Sequence, residues 1–200
     1  MKEVQKKNFR LTPLNWLEKL NQTIMSTKCR VNLKNCSFKK GLAKTGELLQ
    51  SAISNQTSVF WVGNGGSSAI CSHLSQDVMN KLGIKSLYLG DSSLMTCMAN
   101  DYGYEQVYSK PMELFVNKND ILIAISSSGN SDNILSCVKL ANKRGLHIIS
   151  LSGMKQNNRL WNCNADVSFF IDSDLYGIVE TGHEAILHGI IETLWLETDN

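Results

Sequence analysis

Short apolar runs bounded by glycine, serine and asparagine dominate the chain from residue 57 onward: SVFWVG, KSLYLG, DILIAIS, LHIISLS and ADVSFFI. Runs of this length without polar alternation predict strands buried on both faces. Between them apolar residues recur at three-to-four spacing, which predicts helices beginning near Ser67, Leu94, Asp132 and Ile178, with a weaker segment near Asn157. This alternation predicts an α/β domain over residues 57–200, with a mainly parallel sheet covered on both faces. Residues 12–56 have another rhythm. Trp16, Leu17, Leu20 and Ile24, then Leu42, Leu48, Leu49 and Ile53, predict a pair of helices before the domain. We therefore divide the chain into an N-terminal helical segment, 1–56, and an α/β domain, 57–200.

The chain has 200 residues, 42% hydrophobic and 19% charged, with 14 Gly and 2 Pro. That composition excludes disorder and collagen and suits one compact domain with a short appendage. No apolar run approaches the ~20 residues that span a bilayer, and the charged start has no apolar stretch behind it. A cytoplasmic protein without a membrane segment is expected. The six cysteines show no C-x-x-C pair and no zinc-finger spacing, so free thiols are expected. Eleven of the twenty Lys and Arg residues precede residue 45. Without interleaved aromatics this basic segment predicts a solvated helical surface rather than a nucleic-acid site.

In an open parallel sheet, ligands bind beyond the carboxyl ends of the strands. Two loops there carry candidate chemistry. The first strand runs into Gly63-Asn64-Gly65-Gly66-Ser67-Ser68 and then a helix, where glycines allow close approach and free amides favour an anion. It is an incomplete dinucleotide fingerprint and lacks the lysine of a P-loop, so no nucleotide cofactor is expected. The third ends in Ser126-Ser127-Ser128-Gly129-Asn130-Ser131, whose hydroxyls and amides suit phosphate oxygens without a fixed positive charge. Either alone could be an ordinary turn. Two after strands of one sheet point to a phosphorylated metabolite.

GNGGSS, AISSSGNS and a His-bearing final helix together resemble the sugar isomerase (SIS) domain family, most closely the bacterial phosphoheptose isomerases. The resemblance implies a flavodoxin-like three-layer αβα sandwich with a central five-stranded parallel sheet, preceded by N-terminal helices. It implies that Asn64, Gly65, Gly66 and Ser67 contact substrate, that Asn100 and Asp101 in Asn-Asp-Tyr-Gly-Tyr bind sugar hydroxyls, and that Ser126, Ser127, Ser128 and Ser131 hold the phosphate.

His73 and Asp77 are four apart on one helix and share a face. Glu180 and His188, eight apart on the last helix, are rotated by roughly 80° and fit one broad face. The resemblance places Asp77 as base, where the family has glutamate, and His188 as its partner. Glu180 stands where the family has glutamine and is a second candidate base. His73, Asp77, Glu180 and His188 form a two-histidine, two-carboxylate set of a type that accepts zinc, as some family members do. His183, three from Glu180, and Glu184, four from His188, compete for these roles.

The implied function is aldose-ketose isomerisation of sedoheptulose 7-phosphate to D-glycero-D-manno-heptose 7-phosphate, for bacterial surface heptose. A homotetramer with sites at subunit interfaces is implied with it. The alternative is a non-catalytic SIS phosphosugar-binding protein acting through a partner such as a replication initiator. The basic N-terminal segment and the Asp77 departure favour that alternative, and the presence of His73 and His188 opposes it.

Overall fold

A computed structural model describes residues 11–198. Its elements run α1 (Pro13–Met25), β1 (Lys28–Val31), β2 (Lys34–Cys36), α2 (Phe38–Asn55), β3 (Ser58–Val62), α3 (Gly66–Leu82), β4 (Lys85–Tyr88), α4 (Ser92–Tyr102), α5 (Ser109–Met112), β5 (Ile121–Ser126), α6 (Asp132–Arg144), β6 (His147–Gly153), β7 (Val167–Ile171) and α7 (Tyr176–Thr198), with a 3-10 turn at Tyr104–Gln106. The five apolar runs are the strands β3 to β7, which form a parallel sheet ordered β7-β6-β5-β3-β4.

Alternate strand residues feed two separate cores. Trp61, Ile123, Leu151 and Phe169 pack with Leu49 of α2, Leu74 of α3 and Leu187 of α7. Phe60, Leu122 and Ile148 pack on the other face with Met112 of α5 and Val138 of α6. Residues pointing alternately up and down must all be apolar when both faces are covered, which explains the unbroken runs. The architecture is the expected three-layer αβα sandwich.

The N-terminal segment is not helical throughout. Between α1 and α2 lies a hairpin, with Val31 opposite Lys34, Arg30 opposite Asn35 and Cys29 opposite Cys36. It adds to the edge of β7 in antiparallel sense and extends the sheet to seven strands. Asn32 and Leu33 both have positive φ, 48° and 63°, as a two-residue hairpin turn requires. Leucine is a poor residue for that conformation, so the sequence carries no Asn-Gly signal. The basic residues Lys2, Lys6, Lys7 and Arg10 lie outside the described residues. Residues 157–163, with their weaker helical pattern, form turns.

All six cysteines are free. Among the described residues no helix is long and apolar enough to cross a membrane.

The chain leaves β3 through α3 toward β4 and leaves β5 through α6 toward β6, in opposite directions across the sheet. The crevice between the two departing loops is the place such sheets reserve for ligands.

Candidate active site

Both candidate loops open into that crevice. Asn64, Ser67, Ser126, Ser127, Ser128, Ser131, Tyr176 and Glu180 line a cavity of about 170 Å3. A wider cleft bounded by Asn64, Tyr104, Glu105, Ser131 and Asn133 adjoins it, sharing Asn64 and Ser131. Asn64 is held by a reciprocal amide pair with buried Asn133, at 2.9 and 2.8 Å. Tyr104 Oη donates weakly to Asn64 Oδ1 at 3.5 Å. Nothing in the sequence pattern marks Asn133 or Tyr176 as partners of these loops, whereas Tyr104 closes the Asn-Asp-Tyr-Gly-Tyr segment.

At the cavity the residue before each helix leaves the leading amides uncapped, although Ile134 N, in the first turn of α6, donates to Asn133 Oδ1 at 3.0 Å. Ser37, Asp91 and Thr12 cap α2, α4 and α1 with side-chain hydrogen bonds. The residues in the same position before α3 and α6, Gly65 and Ser131, make no such bond. First-turn amides without a cap are a ready anion site, reinforced by the helix dipole. Ser126 Oγ lies 3.2 Å from Ser131 Oγ. Ser127 Oγ is buried without a hydrogen-bond partner, an arrangement that costs stability unless a ligand completes it.

Each loop is braced from behind. Buried Tyr108 donates its hydroxyl to the Gly63 carbonyl at 2.7 Å, and burial pushes its pKa up, so it remains a donor. Gly129 has φ +64°, and a Cβ there would collide with Asn158 Oδ1. Asn158 itself is buried, donates to the Lys155 carbonyl at 2.8 Å and accepts from Trp161 N at 2.7 Å. The Ser-rich loop is therefore clamped against the turns after β6.

Helices α3 and α7 lie side by side and run in the same direction away from the cavity, with Gly66 beside Glu180, Asp77 beside His188 and Lys81 beside Glu192. His73, Asp77 and His188 converge: one ligand atom from each lies within 4.8 Å of the others. The rings of His73 and His188 are 5.2 Å apart, and His188 Nδ1 is 3.7 Å from Asp77 Oδ2, too long for a hydrogen bond. That nitrogen is buried and unpartnered. Asp77 is buried and His73 exposed. The shorter aspartate thus still reaches the histidines.

Glu180 is not in this cluster. Its carboxylate rests on Gly66, where a Cβ would come within 2.6 Å of it. Eight residues rise about 12 Å along a helix, so a shared face does not bring Glu180 and His188 together. His183 belongs to the core: it is fully buried, with Nε2 3.1 Å from the Ser152 carbonyl, and burial lowers its pKa to about 4. Glu184, half-buried, is in neither the cavity nor the cluster. Asn100 and Asp101 are exposed at the end of α4 and hydrogen-bond each other at 2.8 Å, outside both cavities.

Lys81, one turn beyond Asp77, places Nζ 3.1 Å from Asp77 Oδ2 and 3.2 Å from Glu192 Oε1. Hydrogen bonds to these two carboxylates raise its pKa and keep the ammonium charged. The spacing of four from Asp77 is the available sequence signal for this residue.

The chain is similar to known proteins over most of its length. The SIS domain family matches residues 33–153. The phosphoheptose isomerase of Cytophaga hutchinsonii is 35% identical over 156 residues, covering 75% of this chain and 81% of that protein. The phosphoheptose isomerase of Helicobacter pylori is 31% identical over 158 residues, 76% of this chain and 81% of its own. Among solved structures, a phosphoheptose isomerase from Neisseria gonorrhoeae superposes with TM-score 0.72 at 26% identity, over 78% of this chain and 86% of that one. One from Francisella tularensis reaches TM-score 0.77 at 24% identity, over 90% and 95%, which supports the fold. With open helix amides at a serine-lined switch-point crevice and relatives matched over most of their length, the chain belongs to the SIS domain family, alongside the phosphoheptose isomerases.

Proposed function

We propose that the protein is a phosphoheptose isomerase, an enzyme that converts sedoheptulose 7-phosphate to D-glycero-D-manno-heptose 7-phosphate through an enediol. The observation that carries this reading is the separation of two chemically distinct centres along one pair of helices. An anion cradle of serines and open amides lies at the start of α3, and a carboxylate with two imidazoles lies further along it. Six residues of helix, about 9 Å, separate Ser67 from His73. A heptose 7-phosphate is built to match, with its phosphate and reacting carbonyl near opposite ends of the carbon chain.

Ser126, Ser127, Ser128 and Ser131, with Ser67 and the amides of Gly65 and Gly66, hold the phosphate. Asn64 meets the sugar hydroxyls, and Glu180, at the cradle, orients those nearest the phosphate. Asn100 and Asp101 contact the sugar if the loop after α4 folds over the bound substrate. Asp77 removes the C1 proton of the ketose while His188 protonates the C2 carbonyl oxygen, giving the enediol. Return of a proton to C2 and loss of the O1 proton then give the aldose, with no net gain or loss of protons. Should Asp77 stand too far from C1, Glu180 is the alternative base.

His73, Asp77 and His188 have the donor types and number that hold zinc with a position open, and the buried, unpartnered Nδ1 of His188 fits such a role. A bound zinc would supply Lewis-acid polarisation of a substrate oxygen. The assembly we propose is a homotetramer with residues 1–56 as its oligomerisation segment and sites at subunit interfaces. Exposed Leu14 and Leu17 on α1 and exposed His73 support that arrangement. Six free cysteines suit a reducing cytoplasm. A purely binding SIS protein is not favoured, because the curated relatives matched over three quarters of the chain are phosphoheptose isomerases.

The test is to incubate purified protein with sedoheptulose 7-phosphate, with and without zinc, and follow aldose formation. Turnover is expected, lost in His188→Ala and Asp77→Asn. Phosphosugar binding without turnover in either condition would sink the catalytic reading. Full activity in Asp77→Asn with none in Glu180→Gln would move the base to Glu180.

A further inference from the structure

We infer that Lys81 and Glu192 together set how tightly a metal ion is held by His73, Asp77 and His188, Lys81 opposing it and Glu192 favouring it. The inference rests on reading that cluster as a metal site. Lys81 Nζ lies 3.1 Å from Asp77 Oδ2, the same oxygen that lies 3.7 Å from His188 Nδ1. The ammonium therefore sits on the carboxylate oxygen nearest that imidazole. Asp77 Oδ1 accepts from Gln76 Nε2, so both oxygens are engaged from within α3. A divalent cation among the three side chains must share Oδ2 with a positive charge or displace it.

A second carboxylate stands ready for the displaced ammonium. Glu192 Oε1 is 3.2 Å from Lys81 Nζ, and the Trp195 ring centroid is 5.7 Å away. Lys81 follows Asp77 by four residues on α3, and Glu192 follows His188 by four on α7, so the pair forms a second tier one turn beyond the ligands. When a metal takes Oδ2, Glu192 can keep the ammonium paired. Without Glu192, moving Lys81 aside would leave its charge on Asp77 or on none of these carboxylates. Lys81 and Glu192 are accordingly positioning residues, acting on the metal only through Asp77.

Calorimetric zinc titration of the unmodified protein, Lys81→Met, Lys81→Arg, Glu192→Gln and His73→Ala tests this. With like charges a few ångströms apart and partly screened by solvent, Lys81→Met should tighten zinc about tenfold or more, and Glu192→Gln should weaken it by roughly threefold to tenfold. Lys81→Arg keeps the opposing charge and should bind like the unmodified protein, while His73→Ala should lose most of the affinity. Equal affinity in the unmodified protein, Lys81→Met and Glu192→Gln overturns the inference but leaves the metal site standing if His73→Ala is weakened. Absence of His73-dependent zinc binding both in the unmodified protein and in Lys81→Met overturns the site and the inference together. Glu192 is exposed, so its variant tests the idea even if Lys81→Met fails to fold.

Discussion

The Glu180 carboxylate lies directly on Gly66, so close that a single methyl group there would approach its Cδ to 2.6 Å. Gly66 opens α3 in ordinary helical geometry and tolerates alanine as far as its backbone is concerned. Gly66→Ala should therefore leave thermal unfolding nearly unchanged while displacing Glu180 and narrowing the cradle. Since misplacement by about 1 Å can cost ~10²-fold in rate, turnover should fall by one to two orders of magnitude. Unchanged kinetics would show that Glu180 has no part in substrate handling.

Ser127 separates binding from stability. Its hydroxyl is buried at the cavity without a partner. Ser127→Ala removes an unsatisfied group from the free protein, so denaturant stability should be equal or greater. In the proposed binding mode the phosphate loses a donor at the same time, and KM for sedoheptulose 7-phosphate should rise roughly tenfold. A variant less stable yet unchanged in KM would contradict both expectations.

Gly129→Ala should behave oppositely. Its φ of +64° and the collision of a Cβ with Asn158 combine backbone strain with a clash against a buried side chain. A loss of about 2 kcal/mol or more is expected, together with weaker phosphosugar binding as the Ser-rich loop shifts. Chemical denaturation and a phosphosugar titration measure the two effects. A fully stable Gly129→Ala would mean that Asn158 does not clamp the loop.

His183 gives the protein an acid-sensitive core. Burial lowers its pKa from 6.5 to about 4, so the unfolded chain takes up this proton at higher pH than the folded one. The sign follows directly: its contribution is complete above pH 6.5 and is lost as pH falls toward 4. The loss from this group amounts to at most about 3 kcal/mol. His183→Gln keeps a donor for the Ser152 carbonyl but cannot titrate. Its denaturation free energy should show a pH slope shallower by close to one proton in this window, and an unaltered slope would place the titration elsewhere.

Much of this protein is legible from one dimension. The strands β3 to β7 lie where unbroken apolar runs place them, because covering both sheet faces leaves no solvent-facing position to alternate. The GNGGSS and SSSGNS loops stand out by composition and lie together at the crevice, since both follow strands adjacent in the sheet. The β1–β2 hairpin is not legible. Asn32-Leu33 carries a turn whose left-handed conformation is stabilised by the pairing of Cys29 to Val31 with β7, a contact more than 130 residues away in sequence.

By itself, then, the sequence determined the αβα layering, the two anion-favouring loops and the pairing of His73 with Asp77 on one face of α3. Only the tertiary structure placed Glu180 at the cavity rather than beside the histidines and His183 in the core, and brought Lys81 and Glu192 together beyond Asp77. The physical reason is that periodicity reports rotation about a helix axis. How far along α7 each residue lies relative to α3 depends on how the two helices pack, and that packing is set by the core beneath them.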